Sequence, residues 1–128
     1  MRLLLDTHTL VWAISGNPLL SKAASKALTA KGNEIRVSVV SAWEIAIKVG
    51  LGKWPDAEKL LNEFETAILG QSFALLPITV SHARMAGLLR SAHRDPFDRL
   101  LAAQATIEGL TLVSSDSHMA PLGATVLW

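Results

Sequence analysis

The chain holds no cysteine and no tyrosine among its 128 residues, and only four tryptophans and three phenylalanines. Without cysteine there is neither a disulfide framework nor a thiolate metal site, a composition that suits a reducing compartment. So few aromatics speak against a stacking platform for single strands. A net charge of +1 argues against a protein that coats nucleic acid, which carries a strong basic excess. Any polyanion partner must then be held by a local basic rim. No apolar run approaches the ~18 residues of a membrane span, and the first residues lack a secretory pattern. A cytoplasmic protein with no membrane partner is therefore expected. Apolar residues make up 50% of the chain and charged residues 18%, so disorder is not expected and residues 1–128 suffice for one domain with a real core.

What is present is a repeated pattern. Arg2-Leu3-Leu4-Leu5 is a short apolar run that stops on Asp6 and passes at once into Thr7-His8-Thr9 and a helical segment closed by Gly16-Asn17-Pro18. Such a run suits a strand buried on both faces of a parallel sheet. Ser21 starts a second helix with Lys22, Lys26 and Lys31 on its solvated side. Ile35 to Val40 is β-branched and reads as a second strand running into the helix Ser41-Ala42-Trp43-Glu44-Ile45-Ala46-Ile47-Lys48. Asp56 reads as the cap of an amphipathic helix that carries Leu60, Leu61, Phe64 and Ile68 inward. Phe73 to Ile78 is a strand that Pro77 pushes towards the sheet edge. Thr79 caps a further helix, on which His82 is expected at the surface. Thr111 to Val113 and Val126 to Trp128 read as the last strands. Strands that alternate with helices, with no hairpin turn of the Asn-Gly kind, predict a doubly wound α/β fold. Its parallel sheet has about five strands and helices on both faces.

Four acids occupy equivalent places in these βα units. Asp6 and Asp116 each follow an apolar run and sit among hydroxyl residues. Glu44 lies just past the second strand, with Ile47 and Leu51 three and seven residues on, so its helix face is expected to turn inward. Asp98 is one turn into a helix that Asp95 and Pro96 start, with Leu101, Ala102 and Ala105 on its face. Capping is the competing explanation for each acid: Asp6 as an N-cap, Ser41 with Glu44 as a capping box, Asp98 as an anion at the positive end of a helix dipole. In a parallel sheet, however, all four acids gather at one edge, where open α/β sheets keep their ligand crevice. Carboxylates that crowded need counter-charge. Hard divalent cations with oxygen ligands, Mg²⁺ or Mn²⁺, supply it, and the chemistry they support is phosphate-ester hydrolysis. No His/Cys spacing suggests zinc.

The segments Leu5-Asp6-Thr7-His8, Ser41-Ala42-Trp43-Glu44-Ile45, His93-Arg94-Asp95-Pro96-Phe97-Asp98-Arg99, Ser114-Ser115-Asp116 and Val126-Leu127-Trp128 carry a resemblance. Over its whole length the chain resembles a PIN-domain ribonuclease, and more closely the VapC-type toxins of bacterial toxin–antitoxin pairs. The resemblance implies that Asp6, Glu44, Asp98 and Asp116 bind Mg²⁺ or Mn²⁺, that Thr7 and Ser114 lend hydroxyl support, and that RNA is the substrate. Ser114 stands where the family usually has threonine, and both supply a hydroxyl. A homodimer is implied too, with a cognate VapB-like antitoxin whose C-terminal segment lies over the active site.

Arg94, Arg99, Lys48 and His8 lie close in sequence to the acids and are candidates for a phosphate rim, although Lys48 and Arg99 serve equally well to neutralise neighbouring carboxylates. Trp43 is expected in the core, and Trp54, beside Pro55, at an exposed interface. Two rival functions are a non-catalytic α/β module that only binds a partner, its acids serving as caps, and an aspartyl-phosphate phosphatase. The phosphatase would need a second acid two residues after Asp6, where this chain has His8. Gly50-Leu51-Gly52 lacks the third glycine of a dinucleotide loop.

Overall fold

The computed structural model describes every residue from Met1 to Trp128. Five parallel strands, β1 (Arg2–Leu5), β2 (Glu34–Ser38), β3 (Ala74–Leu76), β4 (Thr111–Val113) and β5 (Val126–Leu127), form one sheet in the order β3-β2-β1-β4-β5. The central strand explains itself. Leu3, Leu4 and Leu5 are fully buried, and because alternate side chains leave a strand on opposite faces they serve two cores. Leu3 and Leu5 join Ile35, Val37, Leu10 and Ile45 on one face, and Leu4 joins Leu76, Leu101 and Leu112 on the other. Each buried leucine contributes about 2 kcal/mol relative to exposure.

Helices cover both faces. On the first lie α1 (Thr7–Ser15), α2 (Lys22–Thr29), α3 (Val39–Gly50), α4 (Glu58–Asn62) and α5 (Phe64–Gly70); on the second lie α6 (Val80–Leu88) and α7 (Pro96–Glu108). The chain winds outward from β1 through β2 to β3, then crosses back to place β4 on the other side of β1. Between β1 and β4 the winding therefore reverses, and that switch point is where the crevice of such a sheet opens.

Several local expectations change. The second strand stops at Ser38, whose side chain accepts the Val40 amide and caps α3. Ser41 therefore lies inside the helix, and Ser41 with Glu44 is not a capping box. The helix expected after Asp56 is a short 3₁₀ turn (Pro55–Ala57) followed by two pieces that break at Glu63. Asp56 sits within that turn and caps nothing, while Ala57, Leu60, Phe64 and Ile68 still reach one core. His82 is buried, not at the surface. Its Nδ1 accepts the Thr79 amide while the Thr79 hydroxyl accepts the His82 amide, a reciprocal cap that turns the ring in towards α7. Trp43 is 53% exposed, whereas Trp54 is partly buried against the first core.

Candidate active site

The four acids come from four segments, and each is set by donors in its own neighbourhood. Asp6 is buried at the end of β1. One carboxylate oxygen accepts the Thr9 amide at 2.7 Å, so the capping role is real, and the other accepts the Ser114 hydroxyl. That hydroxyl also accepts the Asp116 amide at 3.0 Å. One serine at the end of β4 thus links two acids across the switch point. Thr7, also buried, does not touch an acid: its hydroxyl pairs with that of Ser41 at 3.0 Å, joining the start of α1 to α3.

Glu44 is buried at 5% exposure on the face of α3 that carries Val40, Ser41 and Ile45. The inward turn expected from the sequence is right, but its stated neighbours are wrong: Ile47 and Leu51 point outward. They continue an exposed stripe with Val39 and Trp43, because a helix that starts at Val39 presents residues four apart on one side. Lys48 Nζ lies 2.6 Å from Glu44 Oε2 in the favoured glutamate-before-lysine orientation. Lys48 thus neutralises Glu44, and it also stands over the Trp54 ring, 5.4 Å from the centroid.

Asp98 lies in the first turn of α7, which Asp95 caps through the amides of Phe97 and Asp98. Asp95 is therefore a cap, as its Asp-Pro context predicts. Leu101, Ala102 and Ala105 are buried below Asp98 as expected. Burial first, then the nearby carboxylates of Asp95, Asp116 and Glu44, hold the Asp98 carboxyl above the usual carboxylate range, against the lowering effect of a hydrogen bond from His93. Asp116 behaves oppositely. Burial works to raise it, but the amide and ring of His118, helped by the charges of His118 and His93, hold it below the usual range.

Of the rim candidates, Arg99 is a correction. It is buried, and its guanidinium is consumed by the carbonyl oxygens of Ala86, Gly87, Leu89 and His93. It ties the loop before α7 to the helix and offers nothing to a phosphate, nor does it neutralise an acid. Arg94 is exposed and makes no hydrogen bond or ion pair, and His8 is exposed beside Trp12 and Trp54. Sequence reasoning gave no role to His93 or His118. The ring of His93 meets Asp98 Oδ2 at 2.7 Å, and that of His118 meets Asp116 Oδ1 at 2.8 Å. Their short spacing from those acids was the available signal.

The carboxylates gather loosely. No three acidic or imidazole side chains converge so as to ligate one ion as they stand, and each acid is held by its own donor: Asp6 by Thr9 and Ser114, Glu44 by Lys48, Asp98 by His93, Asp116 by His118. Yet Glu44 Oε1, Asp98 Oδ1 and Asp116 Oδ2 accept no hydrogen bond. An oxygen-only donor set whose like charges still act on Asp98 fits a hard divalent cation. Mg²⁺ keeps several of its waters and needs only one or two carboxylates.

The PIN domain family profile matches residues 3–123. No curated protein matches the sequence. Among solved structures, VapBC2 from Rickettsia felis bound to a DNA fragment from their promoter is similar at a TM-score of 0.69 and 21% identity, covering 99% of this chain and 98% of that one. A toxin–antitoxin complex from Klebsiella pneumoniae gives 0.67 and 23%, covering 98% and 95%. FitAcB from Neisseria gonorrhoeae gives 0.64 and 19%, covering 98% and 96%. At these identities the structures speak for the fold alone, and it is the profile match over nearly the whole length that establishes that the chain belongs to the PIN domain family, a family of nucleases.

Proposed function

We propose that this chain is a Mg²⁺- or Mn²⁺-dependent endoribonuclease that hydrolyses RNA phosphodiester bonds as the toxin of a toxin–antitoxin pair in the cytoplasm. The observation that carries the reading is the position of the acids: Asp6 ends β1, Asp116 follows β4 across the switch point and is joined to Asp6 through Ser114, and the carboxylates of Glu44 and Asp116 lie near enough to Asp98 to act on it. Glu44, Asp98 and Asp116 each keep one oxygen free of hydrogen bonds beside a donor that holds the other, an arrangement open to a cation.

In this reading Glu44, Asp98 and Asp116 would hold the ion with their free oxygens, and Asp6, whose two oxygens are bonded to Thr9 and Ser114, would join them by giving up one of those bonds. When bound, the ion supplies Lewis-acid polarisation of the phosphoryl oxygen and a lowered pKa for the attacking water. Ser114 holds Asp6 and the Asp116 backbone in register, and Thr7 fixes α1 against α3 through Ser41. Arg94 and His8, both exposed, receive the RNA backbone on either side. Lys48 orients Glu44 through its ion pair.

The exposed stripe Val39, Trp43, Ile47 and Leu51 on α3 begins beside Glu44 and supports a protein partner, since contiguous apolar surface of this kind marks interaction sites. The similarity to toxin–antitoxin complexes supports a VapB-like antitoxin as one partner, and a second copy of the chain, giving a homodimer, is the other partner of this reading. The test of activity is incubation of purified protein with a pool of small RNAs. Cleavage with Mn²⁺ that EDTA abolishes and Asp6→Asn lacks supports the reading; cleavage that persists in EDTA contradicts it.

A further inference from the structure

His93 and His118 lie in different loops, one before α7 and one after β4, and their rings stack at 4.2 Å between centroids with only 6° between planes. Each ring is also bonded to an acid of the candidate site, His93 through Nε2 to Asp98 and His118 through Nδ1 to Asp116. Carboxylate acceptors require that these nitrogens carry the protons.

Both rings are anchored from behind. The His93 carbonyl accepts from Arg99 Nη1 at 3.0 Å, and its amide donates to Ser91 Oγ. The His118 amide donates to the same Asp116 oxygen that its ring binds. Each acid is thereby left with one oxygen committed to imidazole and one free. The stack joins the loop before α7 to the loop after β4, and through the two imidazole bonds it links Asp98 to Asp116.

We propose that His93 and His118 act together as one positioning unit, a stacked clasp that fixes the separation and orientation of Asp98 and Asp116 and so sets the affinity of the site for its divalent ion. The inference rests on the metal-site reading above. Partners that orient ligating carboxylates typically matter 10- to 100-fold in metal affinity, and two groups acting through one contact give non-additive effects.

The experiment is calorimetric titration of the whole chain with Mn²⁺, alongside RNA cleavage as a function of Mn²⁺ concentration. His93→Phe and His118→Phe keep a ring and lose the hydrogen bond. His93→Gln and His118→Asn place an amide where Nε2 and Nδ1 were and lose the ring. Each phenylalanine variant is expected to bind Mn²⁺ about 10- to 100-fold more weakly at an unchanged melting temperature, with cleavage restored at saturating Mn²⁺. The double phenylalanine variant is expected to lose less than the product of the two single losses, and the amide variants to recover part of the affinity. Wild-type Mn²⁺ affinity in all four single variants, with binding lost in Asp98→Asn, overturns the clasp and leaves the metal site standing. No Mn²⁺ binding by the wild type overturns the metal site and the clasp with it.

Discussion

The hydroxyl of Ser114 donates to the carboxylate of Asp6 from 108 residues away in sequence. This one bond spans the two strand ends, β1 and β4, between which the winding of the sheet reverses. Because the same oxygen accepts the Asp116 amide, Ser114 fixes two of the four acids at once. Ser114→Ala is expected to cut RNA cleavage about 10- to 100-fold by loosening both, at a stability loss of about 1–3 kcal/mol for the buried acceptor and donor left unpaired. Ser114→Thr restores the hydroxyl and is expected to restore cleavage. Initial rates with a fixed RNA and thermal melts of the three proteins check both effects.

The two arginines near Asp98 separate cleanly. Arg99→Ala removes the donors for four carbonyl oxygens in a buried place and is expected to destabilise the fold by about 3 kcal/mol or more. Arg94→Ala touches no partner and is expected to leave the melting temperature unchanged while weakening RNA binding several-fold. Denaturant melts and RNA binding in EDTA distinguish them. A loss of stability in Arg94→Ala would mean that its side chain is structural.

Asp98 carries a pH signature. Its folded carboxyl sits above the unfolded value of 3.8, so between that value and the raised one the folded state binds more protons than the unfolded state. Stability in EDTA is therefore expected to rise as pH falls through the raised folded value, until the unfolded carboxyl also protonates. Asp116 works the other way: its lowered carboxyl contributes stability above 3.8 that is lost as pH falls further, through the folded value. Asp98→Asn should thus be more thermostable than wild type at pH 7 in EDTA, with the gap closing as the pH approaches 4. A gap that is absent at pH 7, or that widens on acidification, contradicts the burial and the nearby carboxylates that hold Asp98 above its usual range.

Much of this architecture was legible because strand burial writes itself into sequence. Leu3-Leu4-Leu5 can be uniformly apolar only if both faces of β1 are covered, and Pro77 placed β3 at the sheet edge. Asp6, Asp98 and Asp116 stood out for the same reason, since each follows a strand or opens a helix, whereas Glu44 lies inside α3. Misreadings arose where one residue satisfies two patterns. Ser38 and Ser41 both fit a cap, and the sheet register, by ending β2 at Ser38, chose the first. That choice turned Trp43 outward and left Glu44 inward. His82 looked like a surface residue because reciprocal capping by its ring is invisible to apolar periodicity. The His93–His118 stack joins two loops that only the crossing from β3 back to β4 brings together.

Glu44 tests the central claim most directly. Ser38, not Ser41, caps α3, so Glu44→Gln removes no cap. It loses the ion pair between the buried Glu44 carboxylate and the partly exposed Lys48 ammonium, worth about 1 kcal/mol because the lysine can turn to water, and relieves some repulsion on Asp98. The account predicts that purified Glu44→Gln melts within a few degrees of wild type, yet binds Mn²⁺ weakly and cleaves no RNA under conditions in which the wild type cuts with Mn²⁺ and stops with EDTA. A folded Glu44→Gln that cleaves RNA at the wild-type rate would contradict it.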